Sequence, residues 1–432
     1  MAEEQNGGRP LKREEKVLLG ILGLPAFALA FSITMVSTYL SEVARRYTHH
    51  TWLIGVIIGG EGVMALWVPM IVGTWSDRLQ TRIGGRLPFV IAGSIPAAVA
   101  MALIGFVRSL GIVAIVAGVF FAFYFVAYEP YRAMYPDLID EDEVSGRAQS
   151  TQALGRGVGT GLALLGGGLL LSISRPLPFF VAGLVLLGAT VAFVLLTLKR
   201  VLDVQSRRPR GKGGREPPNI SAIAGRVWKL MHEHTALRAY FVANALWEMA
   251  LAALKAFIVL YLTLGLHYSL ATASLIIGGV ALVILLGAVV SGKAGDRFGH
   301  LRVVRIALWL YGVGYLVPIF TTSKPVIGAA VPFIAIGGGT LMTLAYAVLM
   351  PLMPEDQHGA LTGYYSMSRG VGIVLGPILA GIAIELTKSG VFTATKGFQA
   401  MWIVCAVAAF ASMPFLIALR RCSEDREELE RR

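Results

Sequence analysis

Residues 178–199 read PFFVAGLVLLGATVAFVLLTLK, and only the last residue of this stretch carries a charge. As a helix rising 1.5 Å per residue it is about 33 Å long, close to the roughly 30 Å thickness of the hydrocarbon core of a bilayer. A helix also satisfies its own backbone hydrogen bonds, which lipid cannot do. The stretch therefore predicts a transmembrane helix.

Similar apolar stretches recur along the whole chain. Of its 432 residues, 56% are hydrophobic and only 15% are charged, whereas soluble domains have about 25% charged residues. This composition excludes an ordinary soluble enzyme. We predict an all-α integral membrane protein with twelve transmembrane helices, at residues 17–40, 52–75, 87–107, 111–134, 148–173, 178–199, 238–264, 270–292, 301–320, 325–350, 361–386 and 398–419.

Two short motifs occur once in each half of the chain. Residues 73–78 read GTWSDR and residues 292–297 read GKAGDR; residues 155–159 read GRGVG and residues 368–372 read SRGVG. The motifs keep their order and nearly their spacing, which predicts two pseudo-symmetric six-helix bundles. In transporters built from such parallel repeats, the binding site lies between the two bundles near the middle of the membrane.

These repeats divide the chain into four parts. We predict an N-terminal bundle at 1–199, a cytoplasmic linker at 200–237, a C-terminal bundle at 238–419 and a cytoplasmic tail at 420–432. Within the linker, residues 221–231 alternate apolar and basic residues at helical spacing. This pattern suggests either an amphipathic helix on the membrane surface or a solvated connector.

Lysine and arginine residues are distributed unevenly between the two sides of the predicted bundle. They are roughly four times as numerous in the loops on the same side as the termini, and positive loops face the cytoplasm. Both termini are therefore predicted to be cytoplasmic, in a multi-pass protein of the cell membrane. The same rule accounts for the net charge of +12 without a nucleic-acid partner.

The loop after the second span has a characteristic sequence. Together with the layout of six plus six spans, residues 73–78 and 292–297 resemble the major facilitator superfamily. Residues 76–89, SDRLQTRIGGRLPF, are similar to the SDR-x3-R-x-GRRRPF loop of the sucrose–proton symporters and the related glycoside–pentoside–hexuronide cation symporters. Residues 130–138, PYRAMYPDL, match the end of the fourth helix in that branch. The chain differs at Phe121, where sucrose carriers have an acid, and at Arg156, where they have an apolar residue.

This resemblance implies the major facilitator fold and proton-coupled transport of a sugar-like solute. From the residues themselves, a tight turn between two helices allows acids and bases to contact neighbouring helix ends. We expect these contacts to form in one conformation and break in the other. The predicted conformational latch consists of Gly73, Asp77, Arg78, Arg86, Asp137, Asp296 and Arg297.

Ionisable residues inside the spans are the other candidates for function, because a charge in the bilayer is costly unless it is paired or faces a cavity. The acids are Glu61, Glu129 and Glu248, which we assign to proton coupling. The bases are assigned to solute binding, together with two adjacent aromatic residues; this set is Arg132, Arg156, Lys255, Arg369, Tyr128 and Trp247.

The spacing of these residues suggests possible pairs. Glu129 lies three residues before Arg132 on one helix face, so it is expected to pair with Arg132 or Arg156. Glu248 and Lys255 also share a face. Since bases outnumber acids, either Arg369 or Arg156 is free to bind an anionic group of the solute, such as a carboxylate.

The leading functional prediction is a secondary active transporter that moves a small polar solute, a sugar or glycoside, with protons by alternating access. Two alternatives remain open: a proton-driven exporter of drugs or metabolites, and a transporter of an organic anion. No catalytic constellation or nucleotide-binding loop is present in the sequence, so an enzyme is not expected. We expect a monomer that needs no cofactor or metal, driven by a gradient of protons or sodium.

Overall fold

The structure is a computed structural model that describes residues 13–79, 81–138, 142–207, 225, 229, 231–352 and 361–419. Within these ranges, twelve helices are long and apolar enough to cross a membrane, which confirms the predicted fold class. In chain order they are α1 (Arg13–Ala44), α2 (Thr51–Arg78), α3 (Leu87–Ile104), α4 (Leu110–Leu138), α5 (Asp142–Ile173), α6 (Leu177–Arg207), α7 (Thr235–Leu260), α8 (Leu270–Phe298), α9 (His300–Phe320), α10 (Lys324–Leu349), α11 (Leu361–Thr387) and α12 (Ala400–Ala411). The twelfth candidate span continues beyond α12 to Leu419.

The ends of several helices differ from the predicted spans. Helix α6 continues to Arg207, beyond the predicted end at residue 199, because its polar last turns extend the helix past the apolar segment. Helix α7 ends in a short π-helix, Tyr261–Gly265. Most of the linker, including the suggested amphipathic helix at 221–231, and the tail at 420–432 lie outside the described residues.

Short turns reverse the chain at two of the connections that the structure describes, α2–α3 and α8–α9. Only Gly299 separates α8 from α9, and its φ of 88° is in the left-handed region. Glycine adopts this conformation without the steric cost that a side chain would bring. Gly84, in the turn between α2 and α3, has a φ of 97° for the same reason.

The two faces of the bundle are named here by these turns. The distal face is the end at which α1 ends and α2 begins, near Ala44 and Thr51. The proximal face is the end at which α2 ends and α3 begins, near Arg78 and Leu87. Helices α1–α6 form one half of the molecule and α7–α12 the other.

The two halves meet along α2 with α11, α5 with α8, and α1 with α7. At the α2–α11 contact the helix backbones touch at glycine residues, which have no side chain to separate them. A Cβ atom on Gly62 would lie 2.5 Å from the backbone nitrogen of Val374. Small residues allow such close approach between helices in membranes. We call this contact the glycine interface; its glycines are Gly55, Gly59, Gly62, Gly370 and Gly381.

The hydrogen bonds that join the two halves, among the described residues, lie towards the distal face. The Thr51 hydroxyl donates to the Gly381 carbonyl at 2.7 Å, and Glu385 accepts from the Thr51 backbone N–H at 3.0 Å. Deeper in the bundle, the hydroxyls of Tyr39 and Ser274 lie 2.9 Å apart. The distal face is therefore closed in this conformation.

Candidate functional site

An ion pair joins α7 to α11 in the middle of the bundle. The Arg369 Nε donates to Glu248 Oε1 at 2.8 Å. The helices approach closely enough for this because Gly372 packs against the backbone of α7, where its Cβ would be 2.7 Å from that of Glu248. The Arg369 side chain is nevertheless 40% exposed. It therefore borders open space inside the bundle.

A second ion pair lies on α4 in the other half. Arg132 Nη1 is 3.7 Å from Glu129 Oε2, and the Arg132 side chain is 30% exposed. Its guanidinium lies over the ring of Tyr128, 5.5 Å from the centroid. The i, i+3 pairing predicted for Glu129 and Arg132 is present, and the guanidinium–ring geometry is that of a cation–π contact.

These groups from the two halves face one another. Tyr128 interacts electrostatically with Arg132, Arg156 and Arg369, which lie on three different helices. On α11, the Arg369 guanidinium lies 5.8 Å from the centroid of the Tyr365 ring, and Tyr365 in turn interacts with Tyr128. Together they border a central cleft, defined by Tyr128, Glu129, Arg132, Arg156, Glu248, Tyr365 and Arg369.

Glu61 lies beside this cleft, within the glycine interface. Only 8% of the residue is exposed, and its carboxylate forms no ion pair or hydrogen bond with any described residue. It interacts electrostatically with Tyr124, whose ring stacks on that of Tyr128 at a centroid distance of 5.4 Å. The Glu61 carboxyl group therefore lies close to both halves of the molecule, and it is buried with no counter-ion among the described residues.

Two of the predicted solute-binding bases have no acid partner in the part of the chain that the structure describes. Arg156, on α5, is partly exposed, as is Lys255, on α7 two turns beyond Glu248. The sequence left either Arg369 or Arg156 without an acid partner. Because Arg369 pairs with Glu248, it is not the unpaired base. The shared face of Glu248 and Lys255 does not produce an ion pair.

Trp247 and its surroundings form a small pocket next to the cleft. The Trp247 Nε1 donates to the Ser412 hydroxyl at 3.0 Å, so its polar atom is already satisfied. Asn244, the only asparagine within a span, donates to the Ser368 hydroxyl at 2.7 Å. The pocket has a volume of about 10 Å³ and is lined by Asn244, Trp247, Glu248, Leu251, Tyr311, Gly338, Leu341 and Met342.

The predicted latch lies at the proximal face. The Arg86 guanidinium donates to the Ala133 carbonyl at the end of α4, while the side chains of Asp77, Arg78 and Asp137 lie outside the described residues. A Cβ atom added at Gly73 would meet no neighbouring atom within 4 Å. In the second half, Asp296 is 81% exposed and 3.5 Å from His300 Nε2, and Arg297 lies over the Phe298 ring.

Sequence reasoning missed the groups that close the distal face. Glu385 accepts hydrogen bonds from α2 in the other half, and Ser274 bonds to Tyr39 and to the backbone of α5. Glu385 lies near a helix end, where an acid is usually solvated. Serine is common in apolar helices. Neither residue therefore gives a distinctive signal in the sequence.

Solved structures share this architecture. A bacterial homologue of the human lysosomal transporter Spinster, in an inward-facing and unoccupied conformation, superposes with a TM-score of 0.74 at 14% identity, covering 95% of this chain and 98% of that chain. A mutant of the nucleoside transporter NupG gives a TM-score of 0.73 at 14% identity, covering 94% and 99%. The model of the Major Facilitator Superfamily matches residues 239–432. This match covers the C-terminal part of the chain, a little less than half of its length.

Curated relatives match over shorter segments. The sucrose transport protein SUC3 of Arabidopsis thaliana is 30% identical over 87 residues, which is 20% of this chain and 14% of the relative. An uncharacterized MFS-type transporter, YfiU of Bacillus subtilis (strain 168), is 26% identical over 98 residues, 23% and 19%. A multi-drug resistance efflux pump PmrA homolog of Lactococcus lactis subsp. lactis (strain IL1403) is 26% identical over 146 residues, 33% and 36%.

This chain thus aligns with about a third or less of the length of each of these relatives. The names of these relatives refer to sucrose transport and to drug efflux, so they indicate no common solute. The solved neighbours and these relatives carry the names of transporters or efflux pumps.

Proposed function

We propose that this protein is a member of the major facilitator superfamily and a secondary active transporter that moves a small polar solute together with protons by alternating access. The observation that carries the proposal is the central cleft, which is bordered by two ion pairs, Glu129–Arg132 and Glu248–Arg369, one in each half. Ionisable groups within a bilayer mark solute and proton pathways. Because each half carries one ion pair, a single solute can contact both halves at once. Binding of the solute therefore depends on how the two halves are positioned relative to one another.

Proton coupling follows from the chemistry of these pairs. A proton that binds Glu248 neutralises the carboxylate and weakens its attraction for Arg369, which then becomes available to the solute. The same exchange applies to Glu129 and Arg132. Glu61 has no basic partner among the described residues, and an unpaired buried charge is costly; its carboxyl group is thus suited to holding a proton while the halves are in contact.

A sugar or glycoside is the solute that we favour. The resemblance of residues 76–89 to sucrose–proton symporters and the similarity to a sucrose transport protein over 87 residues support this assignment. Within the cleft, the stacked rings of Tyr124 and Tyr128 and the ring of Tyr365 offer apolar faces for a sugar ring. The adjacent guanidinium groups can donate hydrogen bonds to its hydroxyl groups.

An organic anion is the second candidate solute. Arg156 and Lys255 carry positive charges that no described acid neutralises, and Arg156 belongs to the group around Tyr128. A carboxylate on the solute supplies the missing negative charge, and arginine binds carboxylates in a bidentate manner. A sugar acid combines both candidates, since it presents a ring and a carboxylate.

We place the protein in the cell membrane as a monomer with both termini in the cytoplasm, as the distribution of basic residues predicts. In that orientation the closed distal face is the outer side, and the cleft opens inwards. The two solved structures of the Spinster homologue are also inward-facing.

Counterflow in proteoliposomes tests the proposal. Purified protein is reconstituted with labelled sucrose or labelled glucuronate as probe, and uptake is measured at equal pH and with an acidic exterior. We expect counterflow of at least one probe and its accumulation when a pH gradient is imposed. Export of amphipathic dyes without transport of either probe would replace symport by the drug-exporter alternative.

Carboxamide variants then locate the coupling groups. Glu129→Gln, Glu61→Gln and Glu248→Gln are each expected to abolish accumulation driven by the pH gradient and to preserve counterflow, because exchange at equal pH needs no net proton movement. Asp296→Asn, which alters an exposed acid far from the cleft, is the matched control. Normal accumulation in all three cleft variants would refute proton coupling through these residues.

A further inference from the structure

Four aromatic residues form a continuous row inside the C-terminal half, away from the central cleft. The rings of Tyr311 and Tyr315 on α9 are 4.4 Å apart between centroids, and Tyr315 is 5.8 Å from Trp402 on α12. Trp402 is in turn 5.5 Å from Tyr261, in the π-helix that ends α7. We call this set the aromatic row; at its other end, Tyr311 lines the pocket that also contains Glu248.

Three polar atoms of the aromatic row are buried without a hydrogen-bond partner. They are the hydroxyls of Tyr261 and Tyr315 and the indole nitrogen of Trp402. Other buried tyrosines of the same half differ, since Tyr240 donates to the Ala345 carbonyl at 2.8 Å and Tyr364 to the Leu237 carbonyl at 2.6 Å. Buried polar groups are costly unless they are hydrogen-bonded. Three such groups in adjacent residues can each take up a hydrogen bond to a water molecule.

The pocket beside Glu248 has the right size for such a water. Its volume of about 10 Å³ is close to the roughly 10–15 Å³ that one water molecule needs. Asn244 and Glu248 supply polar atoms in its wall. Gly337 and Gly338 on α10 make room for the Tyr311 ring, because a Cβ on either residue would press against Tyr311.

The aromatic row also runs along the membrane normal. Glu248 lies seventeen residues from the distal end of the α7 segment at Gly265, whereas Tyr261 lies four residues from it. At 1.5 Å per residue these positions are about 25 Å and about 6 Å from the distal end. The row therefore connects the distal region to the centre, and the π-helix that carries Tyr261 is a type of distortion that is frequent at functional sites.

We propose that Tyr261, Tyr315 and Tyr311, with buried water between them, conduct protons between the distal face and Glu248 by a route separate from the central cleft. The inference rests on the proposed proton coupling and deepens it. Each hydroxyl accepts a proton from one neighbour and donates its own to the next, so one proton moves from distal water to the Glu248 carboxylate while the hydroxyls are regenerated. The Trp402 N–H is only a donor; it holds a water or hydroxyl oxygen in place and does not relay.

The groups around Glu248 explain what the proton does on arrival. Arg369 forms its ion pair, and Tyr240, Tyr311 and Tyr365 interact with it electrostatically. Of these, Arg369 alone carries a full charge. Neutralising Glu248 through the aromatic row therefore releases Arg369 into the cleft, where the solute binds. A separate route lets a proton reach this pair while the distal face is closed to the solute.

Phenylalanine variants test the route, since each removes one hydroxyl and keeps the ring. Tyr315→Phe and Tyr261→Phe are compared with Tyr364→Phe, which removes a satisfied hydroxyl in the same half. Proteoliposomes loaded with the pH dye pyranine are given an acidic exterior and labelled sucrose or labelled glucuronate. Three quantities are measured: counterflow at equal pH, accumulation driven by the pH gradient, and proton entry that depends on the probe.

We expect Tyr315→Phe and Tyr261→Phe to reduce gradient-driven accumulation and probe-dependent proton entry by about tenfold or more, because the relay is interrupted. Counterflow is expected to stay within about twofold of the unmodified protein. Tyr364→Phe should preserve all three. Tyr311→Phe, which interrupts the row at the pocket, should behave like the first two variants and provides a second test if one of them does not fold.

Unchanged accumulation in the folded row variants would overturn the proposed route and leave transport itself intact. Loss of counterflow together with accumulation would also overturn it, because the row would then act in solute movement and not in proton delivery. The absence of counterflow with both probes in the unmodified protein counts instead against the proposed function.

Discussion

Glu385 is expected to control how firmly the distal face is closed. Its carboxylate accepts a hydrogen bond from the Thr51 N–H at 3.0 Å and lies 3.1 Å from the Thr51 hydroxyl, whose proton is directed to the Gly381 carbonyl. It also lies 3.2 Å from His50 Nδ1 and 2.5 Å from Lys388 Nζ. Helix α2 begins at Thr51, and its N-cap, His50, makes no side-chain cap hydrogen bond. The other half of the molecule therefore caps this helix, and the cap is lost when the halves separate at this face.

The magnitude follows from the contacts that Glu385→Ala removes. A helix cap contributes about 1 kcal/mol, and hydrogen bonds to a charged group contribute about 1.5–3 kcal/mol. The Glu385 side chain is 21% exposed, so solvent screening reduces the total. We take about 2 kcal/mol, which changes the ratio of distal-closed to distal-open molecules by roughly thirtyfold, at about 1.4 kcal/mol per factor of ten.

Double electron–electron resonance measures this ratio. Spin labels are attached to cysteines placed at Arg108 and Thr322, which are exposed at the distal face in opposite halves, in a background without the native cysteines. Glu385→Ala is expected to increase the population with the longer distance, and Glu385→Gln to have a smaller effect because it retains an acceptor. Lys388→Ala is the matched control: it removes only a surface ion pair with Glu385, which contributes about 0–1 kcal/mol. Identical distance distributions in Glu385→Ala and the unmodified protein would refute the reasoning.

Three further predictions concern packing and charge. Gly62→Ala places a methyl group 2.5 Å from the backbone of α11, so it should destabilise the folded protein by about 1–3 kcal/mol and lower its unfolding temperature in detergent. Gly73→Ala is the control, because its methyl group meets open space and should leave that temperature unchanged. Equal effects of the two substitutions would contradict the packing argument. Ser274→Ala removes the hydroxyl that bonds across the two halves and should weaken distal closure by about 1 kcal/mol. The same spin-label experiment should then show a larger population at the longer distance, and an unaltered distance distribution would contradict this prediction. Arg369→Lys loses the hydrogen bond from the Arg369 Nε–H to Glu248, and lysine lacks the planar fork of donors that arginine has. The variant should therefore reduce counterflow of both probes. Normal counterflow would show that Arg369 does not bind the solute.

The sequence was sufficient to predict the fold class and the positions of the spans. Hydropathy alone locates helices such as α3 and α9 to within a few residues, because lipid requires long apolar segments. It fails at the ends, as for α6, because a helix continues into water on polar residues. The proposed division of the chain at 199 and 238 stays a prediction.

The sequence also identified the charged residues of the cleft, and it predicted the pair on α4, whose members are three residues apart. It could not predict that Glu248 pairs with Arg369, since those residues are 121 positions apart and meet only when α7 and α11 pack together. Nor does a tyrosine in an apolar span indicate whether a carbonyl accepts its proton, as for Tyr364, or does not, as for Tyr315. The roles of all these residues in transport stay predictions.

The glycine interface has a consequence for how fast the halves can move. At Gly55, Gly59 and Gly62, α2 presents no side chain to α11, so fewer side chains interlock at this contact than where both helices carry large residues. Each helix already satisfies its own backbone hydrogen bonds, and water or lipid that enters between them meets no broken ones. The two helices can therefore tilt apart and return with a small activation barrier. The few polar contacts at the distal end then determine the equilibrium between the closed and open arrangements of the distal face.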